Sequence, residues 1–240
     1  MRVALVTSSY NYIPDGVALT LNRLVGYLQR QGVEVLVFAP VADRPALAHE
    51  GTLVPVPSIA LPGRPEYRLA LGMGRPAKRQ LLDFQPDIIH LAGPDFLGHA
   101  ALALARKHGI PAVASYHTRY ETYLKHYWHL AWAESVTTRV LRRFYGKCRE
   151  VYVPSDSTRE ALLADGLKDN FKPWPRGIDT VRFSPAKRSR EWRARLGIGD
   201  DELVILHVSR LVREKRLDTL TAALNRITLP HRVVIVGDGP

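Results

Sequence analysis

The sequence predicts an α/β protein built on a doubly wound parallel sheet, with the start of a second such domain behind it. Three observations carry this. Short unbroken apolar runs recur along the 240 residues, stretches with helically spaced apolar residues lie between them, and a glycine closes several of those stretches. Val3 to Val6 is the first run, ended by Thr7-Ser8-Ser9 and the turn-rich Asn11-Tyr12-Ile13-Pro14-Asp15-Gly16. Val17, Leu21, Leu24, Val25 and Leu28 then fall on one face of a helix. Gly32 stops it, and Val33 to Phe38 is the next strand. Strands without polar alternation are buried on both faces, which is the mark of a parallel sheet.

The pattern repeats. Asp87 to Leu91 is a strand, Pro94 opens a helix through Leu97, Ala101 and Ala105, and Gly109 closes it. Pro111 to Ser115 is the next strand, with Tyr116-His117-Thr118 at its carboxyl end. An amphipathic stretch from Leu130 to Tyr145 leads to a strand at Val151 to Val153, and Ser155 caps the helix after it. Phe171 to Pro185 breaks the rhythm with Pro173, Pro175, Gly177 and Pro185, which predicts a domain crossing ending near Phe183. The expected domains are therefore 1–183 and 184–240. In the second, Leu203 to Val208 is a strand, Glu214 to Ile227 a helix and Arg232 to Val236 a strand. Gly51 to Gly74 yields one strand, Leu53 to Val56, and a loop. Gly72-Met73-Gly74-Arg75-Pro76-Ala77 follows no strand and holds Pro76 inside the turn, so no phosphate site is expected there.

Composition narrows the function classes. Lys and Arg number 34 against 23 acidic residues, a net charge of +11 that favours anionic partners such as nucleotides, nucleic acid or an acidic membrane face. The single cysteine, Cys148, cannot form an internal disulfide, and no His/Cys spacing suits zinc. No apolar run approaches the roughly 18 to 20 residues of a membrane span, and the first run is too short for a secretory signal. A soluble or peripheral protein is expected.

In an open parallel sheet, ligands bind beyond the carboxyl ends of the strands. Pro14-Asp15-Gly16-Val17 lies there, where a glycine permits close approach and a helix start favours an anion; equally, Gly16 could merely form a turn. His117, just past a buried strand, could exchange a proton, donate a hydrogen bond or complete a structural network. Arg119, Tyr120, Tyr123, Lys125, His126 and Tyr127 follow it as a polar, aromatic stretch that could grip a phosphate or sugar or form a solvated face. Arg210 ends one strand and Lys215 stands near the next helix. Both could converge on a diphosphate in a cleft between the domains, or either could pair with Glu214 at the surface.

Taken together, these segments resemble the retaining glycosyltransferases of the large GT4 group, which have the two-domain GT-B fold with Rossmann-like halves. Seven matches occur in order. Pro14-Asp15-Gly16-Val17 resembles the glycine-rich first loop, with Asp15 in place of the first glycine, and Pro86-Asp87-Ile88-Ile89-His90 a "PDxxH" strand. Ser115-Tyr116-His117-Thr118 is similar to a strand ending "HT", and Val153-Pro154-Ser155 to an "xPS" strand. Arg176-Gly177-Ile178-Asp179 with Phe183-Ser184-Pro185 resembles a "GxDxxxFxP" crossing. Ser209-Arg210-Leu211 with Glu214-Lys215, then Gly237-Asp238-Gly239-Pro240, complete the set.

The resemblance implies roles. Gly16, Arg210 and Lys215 would face the donor diphosphate, His117 would support catalysis beside the transferring sugar, and Asp15, Thr118, Arg119 and Tyr123 would contact sugar or acceptor. It implies a metal-independent reaction without a cofactor, the donor being GDP-mannose or a UDP-hexose as co-substrate. His117 to Tyr123 and Trp174-Pro175-Arg176-Gly177 look closest to GDP-mannose-dependent mannosyltransferases and sulfoquinovosyl-lipid synthases, so a hexose, mannose first, would pass to a hydroxyl of a lipid or glycan. Arg139, Arg142, Arg143, Lys147 and Arg149 could meet an anionic membrane, at the inner face of the plasma membrane of a cytoplasmic protein, or form a solvated helix face. No nucleic-acid motif is present. The group's Glu-x7-Glu motif is missing, since no glutamate follows Glu214, and the donor domain is expected to be truncated and this chain alone inactive. The rival expectations are a non-catalytic acceptor- or partner-binding module and a GT-B-type sugar-nucleotide epimerase or phosphorylase.

Overall fold

The computed structural model describes residues 1–62, 64–117, 133–212 and 215–239. The chain forms two compact units, Met1–Gly177 and Ile178–Pro240. The division falls inside the Pro- and Gly-rich crossing, where Gly177 takes φ 65°.

The first unit is organised by a seven-stranded parallel sheet in the order β3-β2-β1-β6-β7-β8-β9. Its strands are β1 (Arg2–Val6), β2 (Glu34–Ala39), β3 (Thr52–Pro55), β6 (Ile88–Leu91), β7 (Ala112–Ser115), β8 (Val151–Val153) and β9 (Phe171–Pro173). Helix α1 (Gly16–Arg30) links β1 to β2; α2 (Gly74–Phe84), α3 (Phe96–Lys107), α4 (Ala133–Tyr145) and α5 (Asp156–Ala164) precede β6, β7, β8 and β9. Right-handed crossovers decide which face each helix covers. The steps from β1 to β2 and on to β3 run one way along the sheet, and the steps through β6, β7, β8 and β9 run the other. Accordingly Val3 and Leu5 pack with Leu21 and Val25 of α1. Ala4 and Val6 point the opposite way, into a larger core with Leu81 of α2, Leu97 of α3, Phe144 of α4 and Leu162 of α5.

Several expectations are corrected at their edges. Asp95, not Pro94, starts α3: its Oδ1 accepts the Gly98 amide at 2.8 Å, and the helix opens at Phe96. The segment read as loop contains an antiparallel hairpin, β4 (Ser58–Leu61) and β5 (Arg64–Ala70). Strand β9 lies where the sequence showed only a crossing. Gly74 opens α2 with Met73 buried beside it, and β5 ends at Ala70 just ahead, so the glycine-rich segment does follow a strand, contrary to expectation. The start of the expected 130–145 stretch lies outside the described residues.

The second unit has α6 (Arg190–Arg195), β10 (Leu203–Val208), α7 (Leu217–Leu224) and β11 (His231–Val236), with β10 and β11 paired in parallel. Helix α7 is shorter than the span from Glu214 to Ile227. Arg216 takes φ 51° immediately before it, which sets its start, and Asn225 caps its end.

Candidate functional site

The carboxyl edge of the first sheet gathers the loops after β1, β6, β7, β8 and β9. The loop after β1 is pinned by side chains. The Ser9 hydroxyl donates to Asp15 Oδ2 at 2.8 Å and the Ser8 hydroxyl to Asp95 Oδ2. Tyr12 OH donates to the Ser8 carbonyl at 2.7 Å. Asp15 Oδ1 accepts the Ala18 amide at 2.8 Å, so this residue is the N-cap of α1 with both oxygens engaged. Gly16 is exposed on the first turn, and a side chain there would meet no protein atom within 4 Å. The fold itself makes no demand for glycine at that position.

His117 lies two residues beyond the end of β7, at the same edge. Among the described residues neither ring nitrogen has a hydrogen-bond partner, although both atoms are shielded from solvent. Burial, then the charge of Arg176, then His90, push its pKa down to about 3. The imidazole is therefore neutral at physiological pH, with one N–H to donate and one lone pair to accept. Beneath it His90, held at about 4 by burial, shares a 2.5 Å hydrogen bond between Nε2 and Ser115 Oγ. The Trp174 ring stands edge-on to His117 and His90, with centroids 6.0 and 6.2 Å away.

Arg176 completes this edge. Its Nη2 donates to the Tyr116 carbonyl at 3.0 Å, and burial lowers its pKa from the ordinary arginine value. Its φ of 65° is unusual for a side-chain-bearing residue and costs about 1–2 kcal/mol. Sequence reasoning placed Arg176 and Trp174 only in motifs, without a role.

In the second unit Arg210 follows β10 and Lys215 lies shortly before α7, both exposed. The segment after β10 runs beside the glycine-rich turn after β11: the Leu211 amide donates to the Asp238 carbonyl at 2.8 Å. A Cβ at Gly237 would collide with the Ser209 carbonyl, and one at Gly239 with that of Leu211. Two motifs that are some twenty-five residues apart are thus packed backbone to backbone, for which glycine is required. Thr118, Arg119, Tyr123 and Glu214 lie outside the described residues. No group of three or more His, Cys, Asp or Glu among the described residues could hold a metal ion.

A parallel α/β sheet with helices on both faces, whose carboxyl edge carries a neutral histidine and a capped helix start, defines a doubly wound α/β fold. The sequence profile of Glycosyltransferase Family 4 matches residues 14–182, and the chain belongs to that family. It is 34% identical to a GDP-mannose-dependent alpha-mannosyltransferase of Mycobacterium tuberculosis, matching all of this chain and 63% of that one. It is 29% identical to a sulfoquinovosyl transferase of Arabidopsis thaliana, again over 100% of this chain but 47% of the other. Among solved structures, sucrose-phosphate synthase from Thermosynechococcus elongatus superposes with a TM-score of 0.70 at 20% identity. That match covers 98% of this chain and 62% of the other, and it shows the shared fold. The chain thus spans between about half and two thirds of the length of these proteins.

Proposed function

We propose that the intact protein is a retaining glycosyltransferase that moves a hexose, mannose first, from a nucleoside-diphosphate sugar to a hydroxyl of a lipid or glycan. The observation that carries this is His117: a neutral imidazole with two unpartnered nitrogens among the described residues, at the carboxyl edge of a family 4 sheet. A neutral ring can accept a hydrogen bond from one hydroxyl and donate one, which suits a sugar better than a phosphate. Mannose is preferred because of the kinship with a protein named for GDP-mannose.

In this reading Arg210 and Lys215 neutralise the diphosphate as the glycosidic bond breaks, stabilising charge that develops only in the transition state. Gly16 and the first-turn amides of α1 approach the phosphates or the acceptor. Asp15 shapes that turn through its cap while bordering the acceptor side, with Thr118, Arg119 and Tyr123 as further sugar or acceptor contacts. No metal or cofactor takes part. On the outer face of α4, Arg139, Arg142 and Arg143 are exposed together with Val136 and Val140. This favours peripheral contact with an anionic membrane, at about 1 kcal/mol per cation. No helix among the described residues is long and apolar enough to cross one.

The test uses the full-length gene product. Calorimetric titration with GDP, UDP and ADP ranks the bases, and transfer is followed with the matching sugar nucleotides. Arg210→Ala and Lys215→Ala are expected to weaken nucleoside-diphosphate binding at least tenfold. His117→Ala is expected to lower kcat by about a hundredfold or more. Full turnover in His117→Ala, or unchanged affinity in both cation variants, would overturn the assignment; binding without any transfer would favour the non-catalytic module.

A further inference from the structure

Trp174-Pro175-Arg176 lies just before Gly177, where the first unit ends, and sugar transfer as outlined above gives these residues no task. Their geometry is specific. The Trp174 amide donates to the Val153 carbonyl at 2.7 Å, which fastens the chain to the end of β8. Its ring stands edge-on among His90, Tyr152 and His117, with centroids 6.2, 6.4 and 6.0 Å away. Pro175 restricts the backbone on either side of it. Arg176 then bends into the left-handed region. Among the described residues the other two non-glycine positions with positive φ, Gln85 and Arg216, flank helices. Arg176 flanks none.

The bend sends the Arg176 guanidinium back to the end of β7, where it bonds the carbonyl of Tyr116, a residue 60 positions earlier. That carbonyl belongs to the peptide that leads into His117. A strained backbone conformation kept at a functional edge, with its side chain spent on one specific carbonyl, is what a positioning device requires.

We propose that Arg176 is a positioning residue for sugar transfer: by holding the Tyr116–His117 peptide while Trp174 flanks the ring, it fixes the direction in which the unpartnered nitrogens of His117 meet the sugar. This rests on His117 being the sugar contact. The second effect of Arg176 is electrostatic. Among the described residues, Arg176 and His90 are the titratable groups that act on this imidazole, and both, behind burial itself, disfavour its protonation.

The experiment compares Arg176→Gln and Arg176→Lys in the full-length gene product, reading kcat, KM for the donor, and the His117 resonance by NMR across pH. Arg176→Gln is expected to lower kcat at least tenfold with KM within threefold, and to move His117 titration to higher pH. Arg176→Lys keeps a donor and the charge, and is expected to recover part of kcat and leave the titration nearly in place. Should Arg176→Gln fail to fold, Arg176→Lys decides, because loss of the planar fork alone must still lower kcat at least threefold. A kcat within twofold of the parent in the folded variants, with the His117 resonance unmoved, would overturn the proposal. If His117→Ala itself leaves transfer intact, the sugar-contact assignment falls instead, and the two failures are told apart.

Discussion

The sheets of the two units are written in the same alphabet, short runs of Val, Ile and Leu, yet they bury these residues very differently. In β1, Ala4, Leu5 and Val6 are at most 1% exposed. In β10 and β11, Leu206, Val208 and Ile235 are 56%, 65% and 51% exposed. The difference lies in cover. Strand β1 has neighbours on both sides and helices on both faces. The β10–β11 pair has one parallel partner each, and α7 buries none of its own residues. An apolar run specifies a strand, but only further strands and helices turn a parallel strand into core.

The contrast can be broken most decisively by hydrogen exchange on the 240-residue chain. Amides of β10 and β11 are expected to exchange at least about a thousandfold faster than those of β1 and β6, a gap of about 4 kcal/mol in opening free energy. Equal protection would mean that the second sheet is stabilised by something other than burial. Next in size is a pair of truncations. Leu91→Ala, at a fully buried position, should cost about 3 kcal/mol in urea unfolding, whereas Leu206→Ala should cost about 0.5 kcal/mol or less.

A smaller effect sharpens the comparison through pH. His90 has a folded pKa of about 4, below its unfolded value near 6.5, so the unfolded chain takes up a proton that the folded one refuses. Its contribution is complete above pH 6.5 and drains away as pH falls towards 4. Between pH 7 and 4.5 the first unit should lose about 2 kcal/mol from His90 alone. His90→Gln, which still offers Ser115 a hydrogen bond, should flatten the slope of the urea midpoint with pH. An unchanged slope would place the loss elsewhere.

Much of the first unit was legible because burial on both faces leaves unbroken apolar runs. The strands β1, β2, β6, β7 and β8 announce themselves in this way, and the stripe from Val17 to Leu28 does the same for α1. The β4–β5 hairpin was not, since it lies outside the main sheet, exposes Ile59 and is interrupted by Pro62 and Pro65. Nor was β9, a three-residue edge strand in which only Phe171 is buried and Pro173 occupies a position that an edge tolerates. At the candidate site His117 could be found because it lies just past a strand. Arg176 could not be given a role, because its bond to Tyr116 depends on β7, β8 and β9 lying side by side, and no local pattern announces a left-handed arginine.

Cys148 sits under the end of α4 at 3% exposure, its Sγ donating to the Phe144 carbonyl at 3.6 Å, and burial pushes its pKa up to about 12. As the chain's sole thiol it is a ready-made reporter. While the fold is intact it should ignore alkylating reagents, and each molecule that acquires a label will record one excursion in which the α4–β8 corner came apart.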